Sequence, residues 1–121
     1  MSSSLPPSDD LSFLAGKTLE QVCIGRYQTL LNFLERGTIE VACGLEVFAG
    51  GQIRKVSDEY CVGAGIELVR FLGGTVKSAE KLEGVISLQF DDEICIRLLL
   101  RGDGYESVNV SGGPLGNLTF Y

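Results

Sequence analysis

Between residues 84 and 90 the side chains of Ile86, Leu88 and Phe90 fall on one face, and those of Val85, Ser87 and Gln89 on the other. That is the period-two pattern of a strand with one buried side. Asp91, Asp92 and Glu93 interrupt the apolar run, and beyond them Ile94, Ile96, Leu98 and Leu100 share a face opposite Arg97 and Arg101. The pattern predicts a β-hairpin with an acidic turn, fed by a strand over residues 75–82 that starts from Gly73-Gly74.

The first half of the chain carries the same kind of pattern. Strands are expected over residues 18–24, 28–33 and 38–48, and Ile39, Val41, Cys43, Leu45 and Val47 make the longest alternating face. A shift of 57 residues places Gly16 on Gly73, Thr18 on Thr75, Leu19 on Val76, Leu31 on Leu88 and Phe33 on Phe90. Beyond the turn an offset of 55 places Ile39 on Ile94 and Val41 on Ile96. Because two residues is one strand period, this change preserves the face of every side chain. A duplicated unit and two independent β-meanders with shared turn chemistry both fit.

Helical spacing appears once at length. Cys61, Ala64, Leu68 and Phe71 or Leu72 recur along residues 59–72, after Ser57 or Asp58 as a cap and before Gly73-Gly74 as a stop. Gly63 and Gly65 each weaken such a helix by about 1 kcal/mol relative to alanine, so they are expected where its backbone approaches a sheet closely. A short helical turn, capped by Ser8 or Asp9 and ended by Gly16, would anchor itself through Leu11 and Leu14. Residues 52–56 read as an extended segment or as loop, residues 105–110 as a strand, and 118–121 as a short final strand. The fold class expected is α+β: a tail over residues 1–7, then one domain over 8–121. Its mostly antiparallel sheet has six or seven strands drawn from two similar meanders, with the 59–72 helix covering one face. Ile86, Leu88, Phe90, Ile94, Ile96, Leu31, Phe33, Ile39 and Val41 are the predicted core beneath that helix.

At 121 residues, 45% hydrophobic and 21% charged, the chain is long enough to bury a core without a covalent staple. Its apolar runs are too short to span a bilayer, and the first residues lack the basic and apolar regions of a leader, so a cytoplasmic protein is expected. Sixteen acids against ten bases give a net charge of -6, which opposes nucleic-acid binding and favours a basic partner. Cys23, Cys43, Cys61 and Cys95 lie far apart, with no paired C-x-x-C spacing and no histidine to complete a zinc site. For most of them small buried hydrophobes is the leading reading, with reactive thiols or disulfides as the alternatives. The sequons Asn109-Val110-Ser111 and Asn117-Leu118-Thr119 carry no weight without a secretion signal.

The lack of histidine also removes the usual general base and the Ser-His and Cys-His nucleophile pairs. Gly63-Ala64-Gly65 begins like a dinucleotide fingerprint but has Leu68 at the third glycine position. Asp91, Asp92 and Glu93 form the densest carboxylate cluster and read first as a solvated turn. Arg97 and Arg101 read as surface or structural cations, with an anion clamp as the sharper alternative. Val85, Cys95 and Leu99 put more apolar surface on the polar side of the hairpin than a solvated face needs, which predicts a covering loop or partner.

The stretch from Asp10-Leu11-Ser12-Phe13-Leu14-Ala15-Gly16-Lys17-Thr18 to Ile24-Gly25, with Leu31-Asn32-Phe33, resembles the opening of a family of small uncharacterised bacterial proteins. Leu72-Gly73-Gly74-Thr75-Val76, Leu88-Gln89-Phe90-Asp91-Asp92 and Tyr105-Glu106-Ser107 are similar to that family's second half. The first-half turn, Phe33-Leu34-Glu35-Arg36-Gly37, departs from the family's short Phe-Asp-Gly turn. By size, acidity and class the chain also resembles immunity proteins of bacterial polymorphic or contact-dependent toxins. That resemblance implies a cognate toxin as the partner, basic by the charge argument, and the residue types themselves lead to the expectation of no enzyme activity, no cofactor and no metal. The expected partner-binding residues are Asp91, Asp92, Glu93, Glu80 and Glu83 for charge, with Leu99 and Tyr105 as anchors. The alternative reading is a structural or small-ligand module, acting as a homodimer through its apolar sheet face.

Overall fold

The computed structural model describes residues 11–56, 61–91 and 93–121. The expected tail, the Ser8 or Asp9 cap and the Ser57 or Asp58 cap lie outside the described residues. Among the described residues ten strands form two antiparallel five-stranded sheets instead of one sheet of six or seven. In chain order they are β1 (Leu19–Ile24), β2 (Thr29–Phe33), β3 (Thr38–Val41), β4 (Leu45–Ala49) and β5 (Gln52–Val56), then helix α1 (Cys61–Val69). After it come β6 (Ser78–Leu82), β7 (Val85–Asp91), β8 (Ile94–Leu99), β9 (Val108–Gly113) and β10 (Gly116–Phe120). The first sheet runs β1-β2-β3-β9-β10 and the second β5-β4-β8-β7-β6.

The extra strands come from a break that alternation could not reveal. The expected single strand over 38–48 is β3 and β4, separated by Ala42, Cys43 and Gly44. Ala42 donates its N–H to the Ser107 carbonyl beside the first sheet, whereas the Gly44 carbonyl accepts from Leu99 in the second. Cys43, between them, is fully buried. In this short step the chain changes sheets without changing which side chains face inward. The result is an exchange between halves: the β4-β5 hairpin of the first half completes the second sheet, and the β9-β10 hairpin of the second half completes the first.

The backbone repeats at the offset of 57 found in the sequence. Leu14, Ala15 and Lys17 donate to the carbonyls of Leu11, Ser12 and Leu14, and Phe71, Leu72 and Gly74 donate to those of Leu68, Val69 and Phe71. Gly16 and Gly73 then take φ of 87° and 86°, a left-handed conformation that glycine adopts without steric cost. The two units also bind one another reciprocally. Leu19 N–H donates to Gly74 and Val76 N–H to Lys17, while Gly16 N–H donates to Val76 and Gly73 N–H to Leu19. Thr18 and Thr75 bridge at the centre, their hydroxyls 2.9 Å apart. Two equivalent threonines in one antiparallel bridge mark a local pseudo-twofold axis.

The offset stays at 57 through the third strand, which corrects the expected change to 55. Thr29 pairs with Val41 and Leu31 with Ile39; correspondingly, Ile86 pairs with Leu98 and Leu88 with Ile96. Ile39 therefore corresponds to Ile96, and Val41 to Leu98. A two-residue slip keeps every side chain on its face, so hydropathy alone could not reject it. Ile94 lies beyond a register irregularity between Gln89 and Asp91 and is half-buried at the rim.

One hydrophobic cluster joins the two sheets. Leu31, Phe33, Ile39, Val41, Val108 and Val110 enter it from the first, and Leu45, Val47, Ile86, Leu88, Phe90, Ile96 and Leu98 from the second. The expected core is buried apart from Ile94, and Ser87 and Gln89 lie on the opposite face from Ile86 and Leu88, so the predicted register holds. Helix α1 does not simply cover one sheet face. It packs on β1 and β2 and also reaches β5 through Arg54 Nη1, which donates to Glu67 Oε1 at 3.2 Å. Ala64 and Leu68 enter the core. The two helix glycines occupy close approaches, as their cost implied: a Cβ on Gly65 would lie 2.7 Å from Ile24 Cγ1, and one on Gly63 3.1 Å from Val56 Cγ1.

Candidate functional site

The β7-β8 turn forms an exposed acidic tip. Asp91 Oδ1 accepts the Glu93 N–H at 2.8 Å, and the Gln89 side-chain amide donates to the Asp91 carbonyl. Both Asp91 and Glu93 are exposed, and Asp92 lies outside the described residues. The β4-β5 turn adjoins this end of the sheet, because Ala49 pairs with both Ile94 and Gln52.

The remaining predicted contacts do not gather around that tip. Glu80 lies on edge strand β6, in a cross-strand row with Ser87, Arg97, Glu46 and Lys55. Glu83 occupies the β6-β7 turn at the other end of β7, about 20 Å from the tip at roughly 3.3 Å per strand residue. Leu99 pairs with Val85 at that far end, where Leu100 N–H donates to Gly84. Tyr105 is exposed on the crossing between β8 and β9. Its N–H donates to Asp103 Oδ1 at 3.1 Å, and Arg101 pairs with Asp103 Oδ2 at 2.7 Å. The Tyr105 N–H, together with Arg101, holds the Asp103 carboxyl below the usual aspartate range. The described residues thus do not form one site: Asp91 and Glu93 are at the tip, Glu80 is in the middle of edge strand β6, Glu83 and Leu99 are at the far end of the second sheet, and Tyr105 is on the crossing.

The arginines expected as structural cations are engaged locally. Arg101 is tied to Asp103, and the Arg97 guanidinium lies 4.8 Å from the centre of the Phe48 ring. Val85, Cys95 and Leu99 are half-buried. Cys95 is shaded by its own sheet, with Phe48 as cross-strand neighbour and Ser87 Oγ 3.3 Å from its Sγ. Among the described residues no cluster of three or more histidine, cysteine, aspartate or glutamate side chains is arranged to hold a metal. No helix among them is long and apolar enough to cross a membrane.

The first sheet presents a different outer face, which residue spacing did not disclose. Cys23, Leu30, Glu40, Asn109 and Thr119 form one cross-strand row over all five strands. A groove of about 160 Å³ opens where Glu40 and Asn109 meet Gln28 and Glu106. A second hollow of about 170 Å³, lined by Cys23, Ile24 and Leu30, shares Gln28 with it. Asn109 Nδ2 donates to Thr119 Oγ1 at 2.8 Å. Among the described residues neither Glu40 nor Glu106 has an ion-pair partner. These residues come from a turn, a strand and a crossing loop far apart in the chain, so only the hairpin exchange brings them together. Compared with protein-family models, curated proteins and solved structures, the chain matches none of them.

Proposed function

We propose that this chain is a small acidic binding protein of the immunity type, which neutralises a basic cognate toxin in the cytoplasm by covering part of its surface. The observation that carries this reading is the distribution of charge. Arg54 and Arg70 pair with Glu67, Lys55 with Glu46 and Arg101 with Asp103. Those four cations are paired within the fold; Arg26, Arg36, Lys77 and Arg97 are exposed, but they are outnumbered by exposed Glu20, Glu35, Glu80, Glu83, Asp91, Glu93 and Glu106. A surface whose uncompensated charge is negative attracts a basic protein and accelerates encounter more than it slows dissociation. The similarity in size, acidity and class to toxin immunity proteins favours the same partner. No step of this function requires a catalytic group, a cofactor or a metal.

The acidic tip is the proposed steering element, with Leu99 and Tyr105 as a separate apolar contact region at the other end of the sheet. The test is stopped-flow association with the toxin encoded beside this protein, at low and high salt. The Asp91→Lys, Asp92→Lys double variant should associate about tenfold more slowly at low salt, with a shallower salt dependence. Its stability should change by only about 0.5 kcal/mol, as for other surface substitutions. An unchanged association rate would remove the tip from the interface. Failure of the wild-type protein to bind or neutralise that toxin would instead favour the structural or ligand-binding homodimer reading, for which sedimentation of the free protein supplies the direct test.

A further inference from the structure

We infer that the groove on the outer face of the first sheet is a docking site for a cationic side chain of a protein partner, flanked by an apolar one. This deepens the binding reading above and places a contact on a surface remote in sequence from the acidic tip. Glu40 and Glu106 supply two carboxylates to a hollow of about 160 Å³. The side-chain nitrogen of Asn109 is engaged by Thr119, which leaves its oxygen to face a donor. Gln28 stands between this acidic hollow and the adjoining one of about 170 Å³, whose walls include Cys23 and Leu30. The occupant is thus a strand or loop presenting arginine or lysine beside an aliphatic residue.

The second half of the molecule shows why the charge here is directed outward. At the offset of 57, Glu40 corresponds to Arg97, Leu30 to Ser87 and Cys23 to Glu80. The row in the second sheet therefore contains both signs of charge: Glu80, Arg97, Glu46 and Lys55 alternate across Ser87, and Lys55 Nζ lies 3.5 Å from Glu46. The equivalent row in the first sheet has Glu40 as its one charged residue, with Glu106 added from the crossing loop. Neither Glu40 nor Glu106 has an ion-pair partner among the described residues, and Arg101 on the same crossing is paired with Asp103, so the complementary cation comes from the partner. Charge-assisted hydrogen bonds to a guanidinium are directional as well as attractive, and paired carboxylate and amide oxygens suit its fork of donors.

The test uses the full chain and two synthetic hexapeptides, alternating arginine-leucine and alternating citrulline-leucine, followed by amide chemical-shift mapping. The arginine peptide should shift the amides of Gln28, Glu40, Ser107 and Asn109 in a saturable way, and the uncharged citrulline peptide should not. The Glu40→Gln, Glu106→Gln variant should weaken binding about tenfold, while its thermal unfolding stays within a degree or two of the parent. Shifts confined to Asp91 and Glu93, equal binding of both peptides, or unchanged affinity of the double variant would overturn the groove assignment. The outcome separates from that of the toxin reading: a toxin bound equally well by the double variant leaves the binding function standing without the groove. A groove that takes the arginine peptide on a protein that binds no toxin leaves the groove standing without the immunity role.

Discussion

The two sheets are built alike on the inside and differently on the outside. Leu31 and Ile39 are paired and buried in the first as Leu88 and Ile96 are in the second. On the outer faces, Glu40 stands at the position of Arg97, and a polar ladder in which Thr38 donates to Asn32 and Asn32 to Gln21 stands where Cys95, Gln89 and Ser78 would be. Interiors are constrained by volume and hydropathy, whereas a solvent-facing row is limited mainly by charge balance. A repeated architecture thus leaves its solvent-facing rows free to differ while its interior stays alike.

Equivalence of the interiors can be broken by substitution. Leu31→Ala and Leu88→Ala should each cost about 2–5 kcal/mol, the range for creating a buried cavity, and urea unfolding should give the two nearly equal penalties. A loss at one position below half that at the other would show that the halves pack differently despite matching registers. A smaller effect tests the shared backbone. Gly16 and Gly73 occupy the same left-handed conformation, with open space where a Cβ would stand, so alanine at either should cost about 1–2 kcal/mol from backbone strain alone. Unequal costs would place the strain in one unit and limit the pseudo-symmetry to hydrogen bonding.

The smallest effect sharpens the contrast between the crossings from sheet to sheet. The second crossing contains Asp103, whose carboxyl titrates below the usual aspartate range because the Tyr105 N–H and Arg101 stabilise its charged form. A depressed folded pKa contributes stability that is present above the unfolded value and disappears as pH falls through the folded one. The Tyr105 amide resonance should therefore hold its position through the ordinary aspartate range and move only at lower pH. Movement already centred at the ordinary value would show that the Asp103 contacts do not persist in solution. The first crossing, Ala42 to Gly44, has no ionisable side chain except that of buried Cys43 and should show no such acid response.

Much of this arrangement was legible from residue types. Alternation identified the buried side of β2, β3, β4, β7 and β8, and the helix glycines marked close approaches, whereas the strand expected over 105–110 begins only at Val108. The partner of each strand was not legible. Ile39 through Val47 alternates without a fault across two strands in two sheets, because alternation reports a face and says nothing of which neighbour completes the ladder. Gly44 was the sole local sign of the crossing, and a single glycine within a strand pattern is compatible with several local structures. The groove was hidden for a related reason: Gln28, Glu40, Glu106 and Asn109 lie on segments joined by nothing local. The acidic cluster at the β7-β8 turn was conspicuous in sequence, yet the structure separates it from Glu83, Leu99 and Tyr105.

The reciprocal exchange of hairpins has a consequence for how the polypeptide emerges during synthesis. β3 borders β9, and β4 borders β8, so neither sheet is complete until most of the chain exists. The nascent first half has its β1-β2-β3 meander and its β4-β5 hairpin, with the edges of β3 and β4 unpaired. Those edges present Ile39, Val41, Leu45 and Val47 beside free backbone donors and acceptors, the combination that invites pairing with another chain. The sandwich then closes through contacts distant in sequence, a topology associated with slow folding. Maturation is coupled to completion: the last hairpin, β9-β10, caps the exposed flank of the first meander, and that vulnerable interval ends only when it has docked.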